Sequence, residues 1–426
     1  MPDGLPAQPQ GLRLRNRRAV LAAIRRLRRA ARVDVARDTG ISAATVTSIT
    51  AELVAEGLVE EVLDEAPEPG ERGGARGRPR VLLRVRPDAF LVCGAKISED
   101  HITVTLMDFE GGEQLNHVAR MPRGSDSAAP VAGHLRAAVA EALTLLGRDF
   151  GALDCLGVGL PGFLEASRRL VHWSPCFRAR DVDFGALLDE AFPCPVFLDN
   201  DANLAALAEQ WFGYGKGVPE FLVVTIEHGV GMGIVLDHKL YRGGRGIGAE
   251  FGHTKVELDG ALCRCGQRGC LEAYVADYAL LREATTALDL GARPVDRQAE
   301  LDALFAAAKA GDAMALSIFN RAGRMFSLAL ANLVNIFDPA LIIFSGEQMR
   351  YDFLYGARVL DQMRDNALCL DRPPPEVRVH KWGDRLWAMG AAALAIDGLT
   401  DRVLGTRASD QSESRPGRTG PSAPAY

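Results

Sequence analysis

Residues 250–272 read EFGHTKVELDGALCRCGQRGCLE. One histidine and three cysteines fall inside this stretch: His253, Cys263, Cys265 and Cys270. Imidazole and thiolate are the ligands zinc prefers, and one His with three Cys fills a closed tetrahedral shell. Gly266 and Gly269 lie between the last two cysteines, where a backbone turning tightly around an ion calls for glycine. A closed shell leaves no position for a catalytic water, so the reading is a structural zinc that shapes a loop. A lone cysteine often serves as a small buried hydrophobe. Three of them clustered beside glycine and charged residues point to a metal instead.

Around this loop the chain alternates strands and helices. Apolar runs at 90–97 (FLVCGAKI) and 101–108 (HITVTLMD) read as a strand pair, followed by a helix over about 129–146 and a strand into a glycine-rich turn at 156–162 (LGVGLPG). A strand at 195–198 runs into Asp199-Asn200-Asp201-Ala202-Asn203 and a helix to Gln210. A second series starts at Phe221 and continues at 233–236, with helices at about 274–287, 297–310 and 312–337 and a strand at 341–344. A last helix, about 385–397, is expected to return to the first set. Two successive strand–helix sets predict an α/β chain with two lobes and a cleft. Such folds place ligands beyond the carboxyl ends of strands. Asp or Asn at four of the five positions 199–203 exceeds what a single helix cap needs.

The amino-terminal part differs in composition. Residues 11–50 hold ten Arg and two Asp, a local balance of +8 that leaves −14 on the remainder of a chain of net charge −6. A basic segment on an acidic body suits nucleic-acid binding. Val20, Ile24 and Leu27 recur at helical spacing. A short helix over about 33–39 ends at Gly40, and Ser42 is a good N-cap for a third helix over about 43–56 with Val46, Ile49 and Leu53 as its buried stripe. The tight turn before the third helix reads as helix-turn-helix. Ser42, Ala44, Thr45, Thr47 and Ser48 become candidates for reaching bases or phosphates. Two β-prone runs, 59–63 and 81–85, flank a polar loop ending Arg76-Gly77-Arg78-Pro79. This reads as a wing whose Arg78 is suited to a minor groove.

No apolar h-region marks a secretory signal and no run of about 18 apolar residues exists, so no membrane span is expected. Five cysteines outside the 250–272 loop lack disulfide-like spacing, which fits a reducing cytoplasm. Residues 1–11 and 406–426 have the composition of disordered ends.

The pattern E-x-G-H followed by C-x-C-G-x-x-G-C-x-E resembles the signature of the ROK family (repressors, open reading frames and sugar kinases), over about residues 88–398. The resemblance implies the two-lobed actin-like, ribonuclease-H-like fold of sugar kinases, with lobe 1 at about 87–200 plus 385–400 and lobe 2 at about 201–384. It implies a sugar site of Gly162, Asn200, Asp201, Glu250, His253 and Glu272, Asp201 matching the kinase general base. The module at 12–86 is similar to the winged helix-turn-helix that ROK repressors carry and ROK kinases lack. The kinase phosphate loops have the forms D-x-G-G-T and G-T-G-x-G-x-G. Here Lys96 stands at the Asp of the first, and Glu227 and His228 replace Gly and Thr of the second. The expectation is a sugar-responsive, operator-binding regulator, a repressor, without kinase activity. It would carry a structural zinc, take a sugar or sugar phosphate as effector, and form a homodimer or homotetramer. An ATP-dependent sugar kinase is the competing reading.

Overall fold

The computed structural model describes residues 9–63, 80–288, 297–346, 349, 351–354, 356–368, 373–381 and 383–413. The amino-terminal head comprises α1 (Pro9–Leu27), α2 (Arg32–Thr39), α3 (Ala43–Ala55) and an antiparallel hairpin of β1 (Val59–Leu63) and β2 (Val81–Val85). Gly40 ends α2 in the left-handed region, and the Ser42 hydroxyl caps α3 by accepting from the Thr45 N–H. Val46, Ile49 and Leu53 are buried as the pattern predicts. α1 departs from its pattern. Val20 and Ile24 are buried, yet Leu27 is exposed while Leu21 and Ala23 are buried. The reason is that α1 is covered on two sides, by α2 and α3 and by the last helix of the chain. It begins at Pro9, inside the segment expected to be a disordered arm. Arg76, Arg78 and the rest of the wing loop lie outside the described residues.

The body contains β3 (Leu91–Ile97), β4 (His101–Asp108), β5 (Glu113–Arg120), α4 (Ala129–Leu145), β6 (Cys155–Leu160), β7 (Phe163–Glu165), β8 (Leu170–Trp173), β9 (Val182–Asp183), α5 (Phe184–Ala191), β10 (Val196–Asn200) and α6 (Asp201–Phe212). There follow β11 (Phe221–Ile226), β12 (Val230–Leu236), β13 (Lys239–Tyr241), α7 (Glu272–Val275), α8 (Asp277–Leu288), α9 (Arg297–Lys309), α10 (Ala313–Phe337), β14 (Leu341–Ser345), α11 (Ala357–Asn366), β15 (Glu376–His380) and α12 (Arg385–Glu413). The two five-stranded sheets run β10-β6-β3-β4-β5 and β13-β12-β11-β14-β15. In each, the first three strands form an antiparallel meander. The first strand then pairs parallel with the fourth, and the fourth with the fifth. One topology used twice is the ribonuclease-H-like duplication of the actin-like fold.

α12 ties the molecule together. It crosses β3, β4 and β6 of the first sheet and packs along α6. At the crossing, a Cβ on Gly157 would stand 1.8 Å from the Ala391 carbonyl oxygen, so helix and strand meet backbone to backbone. Its far half carries the head. Val20, Leu21 and Ile24 of α1, Met107 and Phe109 of β4 and the turn after it, and Ala395, Ile396 and Leu399 of α12 form one buried core. α12 also continues to Glu413, past residue 406 where a disordered tail was expected. Residues 414–426 are outside the described residues. None of these helices is long and apolar enough to cross a membrane.

Candidate functional site: an interlobe cleft and its metal loop

A cavity of about 290 Å³ opens between the lobes. Its floor is the β10–α6 junction. Asn200 is the N-cap of α6, and its Oδ1 accepts from the Asn203 N–H at 2.8 Å, which leaves the amide NH2 for the cleft. Asp201, the next residue, also lines the cavity. Burial raises its pKa, and the nearby Lys96 ammonium opposes that shift. Asp199 and Asn203 do not share this role. Asp199 Oδ1 accepts from Asn203 Nδ2 at 2.8 Å, and its Oδ2 from Arg242 Nε at 2.7 Å.

The walls come from both lobes. Gly162 has φ +125°, and a Cβ there would stand 2.1 Å from the Trp173 carbonyl oxygen, so only glycine fits. Phe163 packs on Trp173, centroids 5.6 Å apart, and on the His253 ring at 5.3 Å. This aromatic wall was not foreseen in the sequence. Opposite, the Glu250 carboxyl makes no hydrogen bond among the described residues, and burial pushes its pKa up to about 7. Glu272 accepts from the Val230 N–H and the Tyr278 hydroxyl, both at 3.3 Å. All six residues of the expected sugar site therefore face one cavity.

His253, Cys263, Cys265 and Cys270 converge, their ligand atoms all within 4.8 Å of one another. Cys263 Sγ lies 3.7 Å from His253 Nδ1, and Cys265 Sγ 3.7 Å from Cys270 Sγ. Around a tetrahedral zinc, with Zn–S about 2.3 Å and Zn–N about 2.0–2.1 Å, these edges would be roughly 3.6–3.8 Å. The donor set fits that ion. With Nδ1 turned to the sulfurs, Nε2 of His253 remains for the cleft. Burial raises the pKa of the Cys270 thiol, and Lys255 Nζ, 2.9 Å from its Sγ, opposes that shift. Gly266 and Gly269 take φ +86° and +75°, the left-handed region that favours glycine.

The positions expected to be altered phosphate loops hold ion pairs. Lys96 Nζ is 2.5 Å from Asp384 Oδ1 and 3.3 Å from Glu227 Oε2. Burial works against its charge, but Glu227, Asp384 and Asp201 outweigh it and raise its pKa. Asp384 also bonds His101, whose pKa rises to about 9 chiefly through that bond. His228 Nδ1 is 2.9 Å from the buried Asp277 at the start of α8. Gly231 and Gly233 serve packing. A Cβ on Gly233 would come within 2.5 Å of Ala206 on α6, and one on Gly231 within 2.8 Å of Ala202. Asp384 was missed in sequence. Its one signal was its place just before the expected start of the last helix, where an Asp suits a cap.

On the head, Ser42, Ala44, Thr47 and Ser48 are exposed, and Thr45 is half-buried against the Ser42 hydroxyl at 2.8 Å. Thr47 Oγ1 donates to the Ala43 carbonyl. The basic segment is less free than its charge suggests. Arg13, Arg17, Arg18, Arg26, Arg32 and Arg37 pair with carboxylates. Arg25 is buried between Phe109 and Trp211.

A profile of the ROK family matches residues 92–398. The chain belongs to the ROK family. Among its relatives is the xylose repressor of Caldicellulosiruptor bescii, 27% identical over 376 residues that cover 86% of this chain and 92% of that protein. A crystal structure titled as a ROK family transcriptional regulator, homolog of the Escherichia coli MLC protein, superposes with a TM-score of 0.76 at 24% identity. It covers 94% of this chain and 99% of its own. The ROK hexokinase from Thermus thermophilus is 31% identical with a TM-score of 0.59, covering 72% of this chain and 98% of its own. The regulator's fold thus extends over the head as well as the ROK body.

Proposed function

We propose that this protein is a sugar-responsive, DNA-binding transcriptional regulator, a repressor of carbohydrate-use genes, acting in the cytoplasm as a homodimer or homotetramer. The observation that carries the reading is the winged helix-turn-helix head sharing a core with a ROK body whose phosphate-loop positions hold an ion pair. The xylose repressor relative supports it. The cleft offers Asn200, Asp201, Glu250, His253 and Glu272, donors and acceptors suited to sugar hydroxyls. His253, Cys263, Cys265 and Cys270 would hold a zinc, which fixes the loop that presents Glu250 and His253. No kinase step is assigned. Glu227 puts a carboxylate where phosphate oxygens would lie, and like charges repel.

α3 would enter the major groove with Ala44, Thr47 and Ser48 toward the bases, and Arg78 would reach a minor groove. The test uses full-length protein. Thermal-shift screening against sugars and sugar phosphates identifies the effector, since a ligand of the folded state raises the melting midpoint. Operator fragments selected from genomic DNA are then titrated with and without that sugar. Sugar-dependent release is expected, and Ser48→Glu, which puts a negative charge toward the phosphates, should abolish binding. An operator affinity that no sugar alters would refute the reading.

A further inference from the structure

The side chains that replace the two phosphate loops find one another across the cleft. Lys96 sits on β3 of the first lobe, Glu227 follows β11 of the second, and Asp384 immediately precedes α12. The Lys96 side chain is only 4% exposed, and its Nζ lies 2.5 Å from Asp384, 3.3 Å from Glu227 and 4.1 Å from the centre of the Trp387 ring on α12. His101 on β4 holds the other oxygen of Asp384, and its Nδ1 faces Asp100 at 2.7 Å. Both lobes therefore meet at one ammonium, beside the start of α12.

Asp201 is part of the same field. The Lys96 charge is among the groups that act on it, and the two residues line the same cavity as Glu227 and Asp384. A sugar seated on Asn200 and Asp201 would rest directly above this network. At the other end of α12, about 24 Å along the helix axis for the rise from 385 to 401, the head is attached. Arg18 Nε is 2.6 Å from Asp401. The Arg25 guanidinium stacks 4.7 Å from Phe109 and 5.1 Å from Trp211, and Asp397 is the first charge acting on it. One continuous helix thus has the cleft's ion network at its start and the DNA-binding helices on its far half.

We propose that Lys96 is a positioning residue of the sugar cleft, and that the Lys96–Glu227–Asp384 knot conveys closure of the lobes over a sugar through α12 to the head. This rests on the sugar-responsive reading above. In this account the two changes that remove phosphate binding make up a single device. Lys96 supplies the positive charge and Glu227 the arm from the opposite lobe, so the lobes are bridged without a nucleotide. A sugar that changes the distance between the lobes must stretch or shorten the Glu227 arm, while Asp384 holds the same ammonium to α12. Coupling between two sites requires a shared element that both bias, and the knot and α12 are contiguous with both.

The test compares full-length wild type with Glu227→Gln, which removes the charge of the interlobe arm and keeps Lys96 on Asp384. The sugar used is the one the thermal-shift screen identifies. Operator affinity is measured with and without saturating sugar, and sugar affinity is measured by calorimetry. Glu227→Gln should bind operator without sugar to within about twofold of wild type, and lose at least tenfold of the sugar-induced change in operator affinity. Lys96→Met should lose as much. Because it strands buried carboxylates, the charge-balanced pair Lys96→Met with Asp384→Asn is measured beside it, with circular dichroism and zinc content as checks of folding. Undiminished sugar response in Glu227→Gln and in the folded Lys96 variants overturns the knot alone. A wild type that responds to no sugar removes the regulatory reading beneath it.

Discussion

Cys265→Ser tests the metal loop most cleanly, because Cys265 is exposed whereas Cys263 and Cys270 are buried. The substitution removes one proposed ligand without leaving a cavity. The loop keeps its other ties: Lys255 to Gln267 at 2.7 Å and Arg268 to the Gly260 carbonyl at 3.1 Å. A structural zinc held by four Cys and His ligands is worth about 10–16 kcal/mol. An even share of that is roughly 3 kcal/mol per ligand, or about two orders of magnitude in zinc affinity. His253 would then lose the anchor that orients its ring against Phe163. Reordering one side chain costs about 0.5–1.5 kcal/mol, so sugar affinity should fall about two- to twelvefold. The assay is zinc content by mass spectrometry after dialysis against a chelator, followed by sugar calorimetry. Wild type should retain about one zinc per chain and the variant almost none. A variant that keeps stoichiometric zinc and wild-type sugar affinity, or a native protein with no zinc, would show the reasoning to be wrong.

Four further outcomes are expected. Asp201→Asn should change sugar affinity or specificity, and neither it nor wild type should release ADP in a coupled assay with a broad sugar panel at high enzyme concentration. Sugar-dependent turnover that vanishes in the variant would restore the kinase reading. Arg78→Ala should weaken operator binding and reduce the salt slope by about one if it contacts one phosphate, while Thr47 and Ser48 substitutions should alter sequence preference. Arg25→Met removes two buried cation–π contacts and the cation beside Asp397. It should cost about 2–4 kcal/mol in thermal or denaturant unfolding and weaken operator binding by loosening the head. His101 should make stability pH-dependent. Its folded pKa, about 9, is above its ordinary value. Its contribution is therefore full below about pH 6.5 and is lost as pH rises through 9. The stability gap between wild type and His101→Gln should narrow over that range, and a gap that widens would contradict the assignment.

The His–Cys cluster was legible in the sequence because its chemistry is local. Three thiols and an imidazole within 18 residues leave few other uses, and the turn glycines lie between them. The helix-turn-helix was legible for the same reason, through Gly40, the Ser42 cap and the stripe Val46, Ile49 and Leu53. Alternating strands and helices gave the two lobes, and the family pattern named the residues that line the cleft. Local patterns could not say which distant side chains meet. Lys96 and Glu227, 131 residues apart, read as two separate defects, and only the fold makes them one ion pair with Asp384. The basic segment suggested nucleic-acid binding by its charge, although six of its arginines find carboxylates and Arg25 is buried between Phe109 and Trp211. The glycines of 229–233 match the second half of a phosphate-loop pattern only weakly, since glycines also serve tight strand turns, and in the fold Gly231 and Gly233 let α6 approach β12. Sequence determined what depends on neighbours along the chain: caps, turns, ligand spacing and hydrophobic period. The return of α12 across the first sheet decided the rest, because charge pairing and close packing fall off over a few ångströms of space and carry no trace of separation along the chain.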